Sequence, residues 1–207
     1  MYQPAHHRED RLSVQHQAID NHSFGLLVSL GVDGLVANGL PFLLQRSEGE
    51  YGTLVAHLAR ANSQWQNLEG QSVLTVFQGP QSYISPSFYQ TKRETGKVVP
   101  TWNYVMVQAR GIVKIHDDRV WLDRQIESLT TKHEKHRTQS WAVSDAPRPY
   151  IESQLRGIIG LEIRIDSIEG KWKVSQNRHE ADRQGVAEGL AHENAAMAEL
   201  VKSFNNK

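Results

Sequence analysis

No cysteine occurs among the 207 residues, which removes disulfide scaffolds, thiolate metal sites and cysteine nucleophiles at once. No net charge is left either, because 23 Lys and Arg balance 23 Asp and Glu. Non-specific affinity for nucleic acid comes mainly from cations that neutralise phosphates, so this balance predicts that any DNA association is weak or indirect. Long apolar runs are missing, and nothing approaches a membrane-spanning length. The first ten residues, Met1 to Asp10, are too polar for a signal peptide. The expectation is an unprocessed, cytoplasmic protein with no membrane partner. Catalytic fingerprints are absent too: there is no Gly-x-Ser-x-Gly, no P-loop and no dinucleotide motif. His133-Glu134-Lys135-His136 does not have the zinc-protease spacing, and His6-His7 in a polar terminus is poor metal evidence. No catalytic residue and no metal site are therefore assigned.

What remains is 39% apolar and 22% charged, the composition of a globular chain long enough for one sizeable core. A single domain over residues 1–207 is expected, with 179–207 as a helical appendage. The periodicities are mostly those of strands. Phe24 to Leu30 and Leu35 to Leu44 flank Val32-Asp33-Gly34, a strong hairpin signal. Asn38, Gly39 and Pro41 in the second run predict a bent or ligand-facing strand. Tyr51 to Leu58 and Ser72 to Phe77 continue a meander. Tyr104 to Ile115 alternates apolar and polar residues as a long half-buried strand, and Leu161, Ile163 and Ile165 do the same. Helices are predicted over Asp10 to Ile19, from Asp117 or Asp118 to about His136, near Tyr150 to Leu155, and after Asn177. Residues 83 to 100 read as short extended pieces around a mobile loop. Many strands with too few helices to cover a parallel sheet imply a mainly β fold, a closed antiparallel barrel with surface helices.

Polar phrases interrupt these strands at a few places. His57 and Arg60 end the third apolar run, and Arg60 is suited to a bidentate phosphate contact; the plain alternative is a core histidine beside a solvated arginine. Tyr83, Ser85, Ser87 and Tyr89 hold hydroxyls at alternate positions, which an extended chain would place on one face. Thr101-Trp102-Asn103-Tyr104 sets an aromatic plane beside an amide, suited to a heteroaromatic ring or to capping a hydrophobic corner. Lys173-Val174-Ser175-Gln176-Asn177-Arg178 offers two cations, a hydroxyl and two amides, or simply a polar loop.

Taken in order, His57-Leu-Ala-Arg-Ala-Asn62, Gly79-Pro80, Tyr83-Ile-Ser-Pro86 with Tyr89, Val99-Pro-Thr-Trp-Asn-Tyr104 and Lys173-Val-Ser-Gln-Asn177 resemble the PaiB family of FMN-binding negative transcriptional regulators. Ser63 and Phe88 stand where that family commonly has proline and tryptophan. The resemblance implies a split β-barrel of the pyridoxamine-phosphate-oxidase type, a homodimer, and FMN held where two barrels meet. Carried onto this chain, it implies Arg60 with Lys173 or Arg178 near the phosphate, and Asn38, His57 and Ala59 along the isoalloxazine and ribityl. Ser85, Trp102 and Asn103 would lie across the dimer boundary, and Gln176 joins the cofactor set. FMN is expected over FAD because one phosphate cluster is available and no glycine-rich turn could take a pyrophosphate. The implied function is a flavin-dependent sensor and regulator. The alternative is a flavin-dependent oxidoreductase or flavin reductase acting on a small molecule, and the choice between non-enzymatic regulator and enzyme stays open.

Overall fold

The computed structural model describes residues 1–204, and their hydrophobic alternation resolves into eight strands and six α-helices. In chain order these are β1 (Arg8–Glu9), α1 (Leu12–Asn21), β2 (Phe24–Gly31), β3 (Gly34–Pro41), β4 (Leu43–Gln45), β5 (Thr53–Ala59), β6 (Ser72–Ile84), α2 (Gln90–Thr95), β7 (Thr101–His116), α3 (Arg119–Glu134), α4 (Arg148–Leu155), β8 (Ile158–Lys173), α5 (Glu180–Leu190) and α6 (Ala195–Ser203). The strands form one sheet in the order β3-β2-β6-β7-β8-β5-β4, with β1 paired to β8. The pairs β1–β8, β2–β3, β2–β6, β4–β5 and β5–β8 are antiparallel. Mainly β with peripheral helices is thus the observed class. No helix among the described residues is long and apolar enough to cross a membrane.

By contact the chain divides into two compact units. Unit 1 is Met1–His22, Phe77–Gln108 and the chain from Glu169 onward; unit 2 is Ser23–Val76 and Ala109–Ile168. Each of β6, β7 and β8 contributes residues to both. The core of unit 1 includes Phe77, Val105 and Val107 from the strands with Val186, Leu190, Met197 and Val201 from α5 and α6. The helices of residues 179–207, expected as an appendage, therefore bury their apolar stripe inside this unit. In unit 2, Leu122, Val143, Ile151 and Leu155 close a cluster under α3 and α4. Asp118 caps α3 by accepting from the Trp121 N–H at 2.8 Å, as the Asp117-Asp118 signal predicts.

Three stretches differ from the periodicity. The run Leu35 to Leu44 is broken at Phe42, which is fully buried and turns its N–H to the Ser23 carbonyl at 2.8 Å, leaving β3 and β4 as separate strands. The strand from Ser72 does not stop at Phe77 but runs through Gly79-Pro80 to Ile84. Gly79 permits this, since a Cβ there would lie 2.9 Å from the Val105 Cβ. The hydroxyl row from Tyr83 to Tyr89 does not form, because Pro86–Phe88 is a 3-10 turn and Ser85 uses its side chain to cap it, accepting from the Ser87 N–H at 3.1 Å. Beyond it, where a loop was expected, α2 forms and ends on Gly96 at φ 69°, a conformation that suits glycine.

Candidate functional site

The predicted site residues fall into both units. In unit 2, period-2 alternation puts Val55, His57 and Ala59 on one face of β5 and Leu54, Ala56 and Leu58 on the other. The His57 Nδ1 lies 2.7 Å from Gln125 Oε1 of α3. Ala59 is exposed at the strand's end, where its carbonyl accepts from the Asn62 N–H at 2.9 Å. Arg60 has four of its five N–H donors engaged. Its Nε donates to the Arg156 carbonyl at 2.9 Å, Nη1 to Asp117 Oδ2 at 3.0 Å, and Nη2 to Asp117 Oδ1 and to the Ile158 carbonyl. That fork holds the Asp117 carboxyl below the usual carboxylate range and raises Arg60 in turn. The Asn38 Nδ2 donates to Gln64 Oε1 at 2.8 Å, and Gln64 Nε2 donates onward to Ser29 Oγ at 2.9 Å. These amides brace the turn after β5, whose first N–H is capped by Asn62.

In unit 1 two phrases seventy positions apart in sequence are joined. Lys173 donates to Thr101 Oγ1 and, at 2.8 Å, to the Trp102 carbonyl. Asn103, 1% exposed, donates its Nδ2 to Ser175 Oγ at 2.8 Å. Ser175 adopts φ 64°, the one non-glycine residue at positive φ among those described, which turns the loop after β8 toward Asn103. Gln176 spends its amide on the same loop, accepting from the Val174 N–H at 2.8 Å and donating to the Trp172 carbonyl. The Arg178 guanidinium lies 4.7 Å from the Tyr89 ring centroid. Trp102 is 46% exposed, with its Nε1 held by Gln81 Oε1 at 2.8 Å and the Tyr83 ring edge-on at 6.1 Å. A cavity of about 400 Å³ in this unit is lined by Trp102, Tyr104, Gln78, Gln81, Met106 and Lys171.

Lys171 and His7 were not assigned to the site by the sequence; Lys171 adds a cation here and His7 lies against the two lysines. Lys171 is buried, donates to the Tyr2 carbonyl at 2.9 Å and lies 5.2 Å from the Tyr2 and Tyr104 ring centroids. Burial first, then Lys171 and Arg178, push Lys173 below the ordinary lysine value. Burial, then His6, then the two lysines lower His7 to about 4. The unfolded chain protonates His7 below 6.5 and the folded one only below about 4, so between those values the unfolded state holds more protons and stability rises with pH. Folding stability is therefore expected to fall by up to about 3 kcal/mol as pH drops across that window. Urea midpoints for the wild type and His7→Gln check this: the variant should show a flatter pH dependence, and identical slopes would remove His7 as the cause.

Among the described residues no group of three or more His, Asp or Glu is placed to hold a metal ion. A flavin suits what unit 1 offers. Lys171 and Arg178 each repel the partly buried Lys173, which an anion would relieve. Asn103 Oδ1 is buried without a hydrogen-bond partner and can accept an N–H, while Trp102, its neighbour in β7, turns its half-exposed indole to the opposite face of the strand. Asp117 and two carbonyls take four of the five Arg60 N–H donors, so a phosphate there would compete with Asp117.

Residues 1–167 match the family described as a putative FMN-binding domain. The chain belongs to that family. FMN is the cofactor this membership assigns, and the PaiB resemblance drawn from the motifs is borne out. An uncharacterized protein of Emericella nidulans is 36% identical over 226 residues, covering 92% of this chain and 90% of its own. The protease synthase and sporulation protein PAI 2 of Bacillus subtilis is 32% identical over 207 residues, covering 98% and 97%. Among solved structures, the FAD and haem binding protein of Mycobacterium smegmatis aligns with a TM-score of 0.57 at 16% identity, over 80% of this chain and 73% of its own. The fold is the antiparallel split barrel expected from the motifs.

Proposed function

We propose that this chain is a PaiB-like flavin sensor, a homodimeric cytoplasmic regulator whose association with DNA is weak or indirect. The observation that carries the reading is the join in unit 1, where Lys173 and Asn103 tie the Trp102 strand to the 173–178 loop beside Lys171 and Arg178. One cationic cluster suits one phosphate, and an exposed indole suits a planar ring. Lys173 and Arg178 would hold the phosphate, with the Trp102 indole against the ring and Asn103 holding the 173–178 loop through Ser175. Asn38, His57, Arg60 and Gln176 act as braces, and Ser85 as a turn cap. When bound, the flavin supplies electron transfer, and the chain's own residues bind and orient it. The homodimer is supported by Phe24, Leu30 and Leu35 of the β2–β3 hairpin, which are 64–79% exposed, an apolar face that a second copy would cover.

Fluorescence titration with both flavins should show tighter binding of FMN than of FAD, and a preference for FAD would overturn the phosphate assignment. Sedimentation followed through the flavin's visible absorbance should carry the cofactor with a dimer; a folded monomer that retains flavin would sink the interface. Bound flavin should resist bleaching by NADH or NADPH, whereas rapid anaerobic bleaching would replace the sensor with an oxidoreductase.

A further inference from the structure

A second cavity, of about 430 Å³, lies in unit 2 between the β4–β5 pair and α3, and its lining includes none of Trp102, Asn103, Lys171, Lys173 and Arg178. Its floor is apolar: Leu43 pairs with Val55 across the two strands, and Leu44 and Trp121 complete it. The helix contributes Trp121, Arg124, Gln125 and Ser128, spaced so that one face of α3 looks into the space. Trp121 is fixed in place. It stacks on His116 at 4.2 Å and 3°, and it covers Gly160, where an added Cβ would come within 2.2 Å of the indole.

Gln125 is the informative residue. It is 4% exposed and lines the cavity, with its Oε1 on His57 and its Nε2 buried without any partner. Turning the amide end for end only moves the orphan to the oxygen, because His57 is its one partner. A buried amide with one end unpaired has given up hydration without return, so a group brought by a ligand is the natural complement. Two charged side chains stand at the mouth. Arg124 and Glu48 line it and carry no side-chain partner among the described residues, whereas Glu162 is taken by His116 Nε2 at 2.9 Å.

We propose that this cavity binds a small zwitterion with an apolar side chain, an apolar α-amino acid. Its carboxylate meets Arg124 and the Gln125 amide, its ammonium meets Glu48, and its side chain covers Leu43, Leu44, Val55 and Trp121. Through Gln125, occupancy bears directly on His57 of β5.

Calorimetric titration of the full chain with L-leucine and L-phenylalanine tests it, with phenethylamine as the probe that lacks the carboxylate. At least one amino acid should bind saturably, phenethylamine should not, and Arg124→Ala and Glu48→Ala should each weaken binding tenfold or more. Both substitutions are at exposed positions, so loss of folding does not confound them. Binding should persist when FMN is saturating. No saturable binding of either amino acid, equal binding of phenethylamine, indifference to both substitutions, or displacement by FMN would each overturn the proposal.

Discussion

Lys173→Ala is expected to weaken FMN binding by about 1.5–3 kcal/mol, the range for a hydrogen bond to a charged group, or roughly ten- to a hundred-and-fifty-fold in Kd. An ammonium has three donors, and Lys173 spends two on Thr101 and the Trp102 carbonyl, which aims the charge and leaves one donor for a ligand. The neighbouring Lys171 and Arg178 make this charge costly in the absence of an anion. A bound phosphate would therefore be attracted by all three, and removing the one held most firmly should be felt most. Arg60→Ala is the matched control. With its guanidinium committed to Asp117 and to the Arg156 and Ile158 carbonyls, its loss should lower stability while leaving FMN affinity nearly unchanged. Fluorescence titration of both variants separates the roles: an Arg60 effect as large as that of Lys173 would return Arg60 to the phosphate, and no effect at Lys173 would remove the cluster from the site.

Gly111→Ala is expected to cost about 3 kcal/mol or more of folding stability, at the upper end for forced overpacking. A Cβ at this position of β7 would sit 2.0 Å from the Arg164 carbonyl oxygen and 2.8 Å from its carbon on β8. Both obstacles are backbone, so no rotamer change can relieve the clash, and the two strands would have to part. The Ile163 side chain, 3.0 Å away, closes the remaining space. Gly34→Ala is a useful contrast, because nothing lies within 4 Å there and only its φ of 117° is strained. Urea denaturation decides the matter. A loss below about 1 kcal/mol at Gly111 would mean that the strands separate more easily than their packing implies.

Local pattern alone specified the parts that depend on one stretch of chain. The alternation from Tyr104 to Ile115 became β7 because its period of two matches a pleated strand with one buried face. Val32-Asp33-Gly34 became the β2–β3 turn because glycine accepts the φ of 117° found there. Asp118 became a cap because a short acceptor before an amphipathic run satisfies a free helix N–H. The motifs likewise sufficed for the family, since their order along the chain needs no third dimension. Pairing of functional side chains was different. Asn103 meets Ser175 across 72 positions, His57 meets Gln125 across 68, and Arg60 meets Asp117 across 57. Periodicity shows which face a residue is on but not which distant residue stands opposite. The hydroxyl row proposed for Tyr83 to Tyr89 failed for a related reason, as the Pro86–Phe88 turn interrupted the extended chain on which that row depended. Whether Arg60 was free to hold a phosphate or already bound to a carboxylate was decided by the packing that brings Asp117 to it, because a charged side chain is committed by its nearest partner in space.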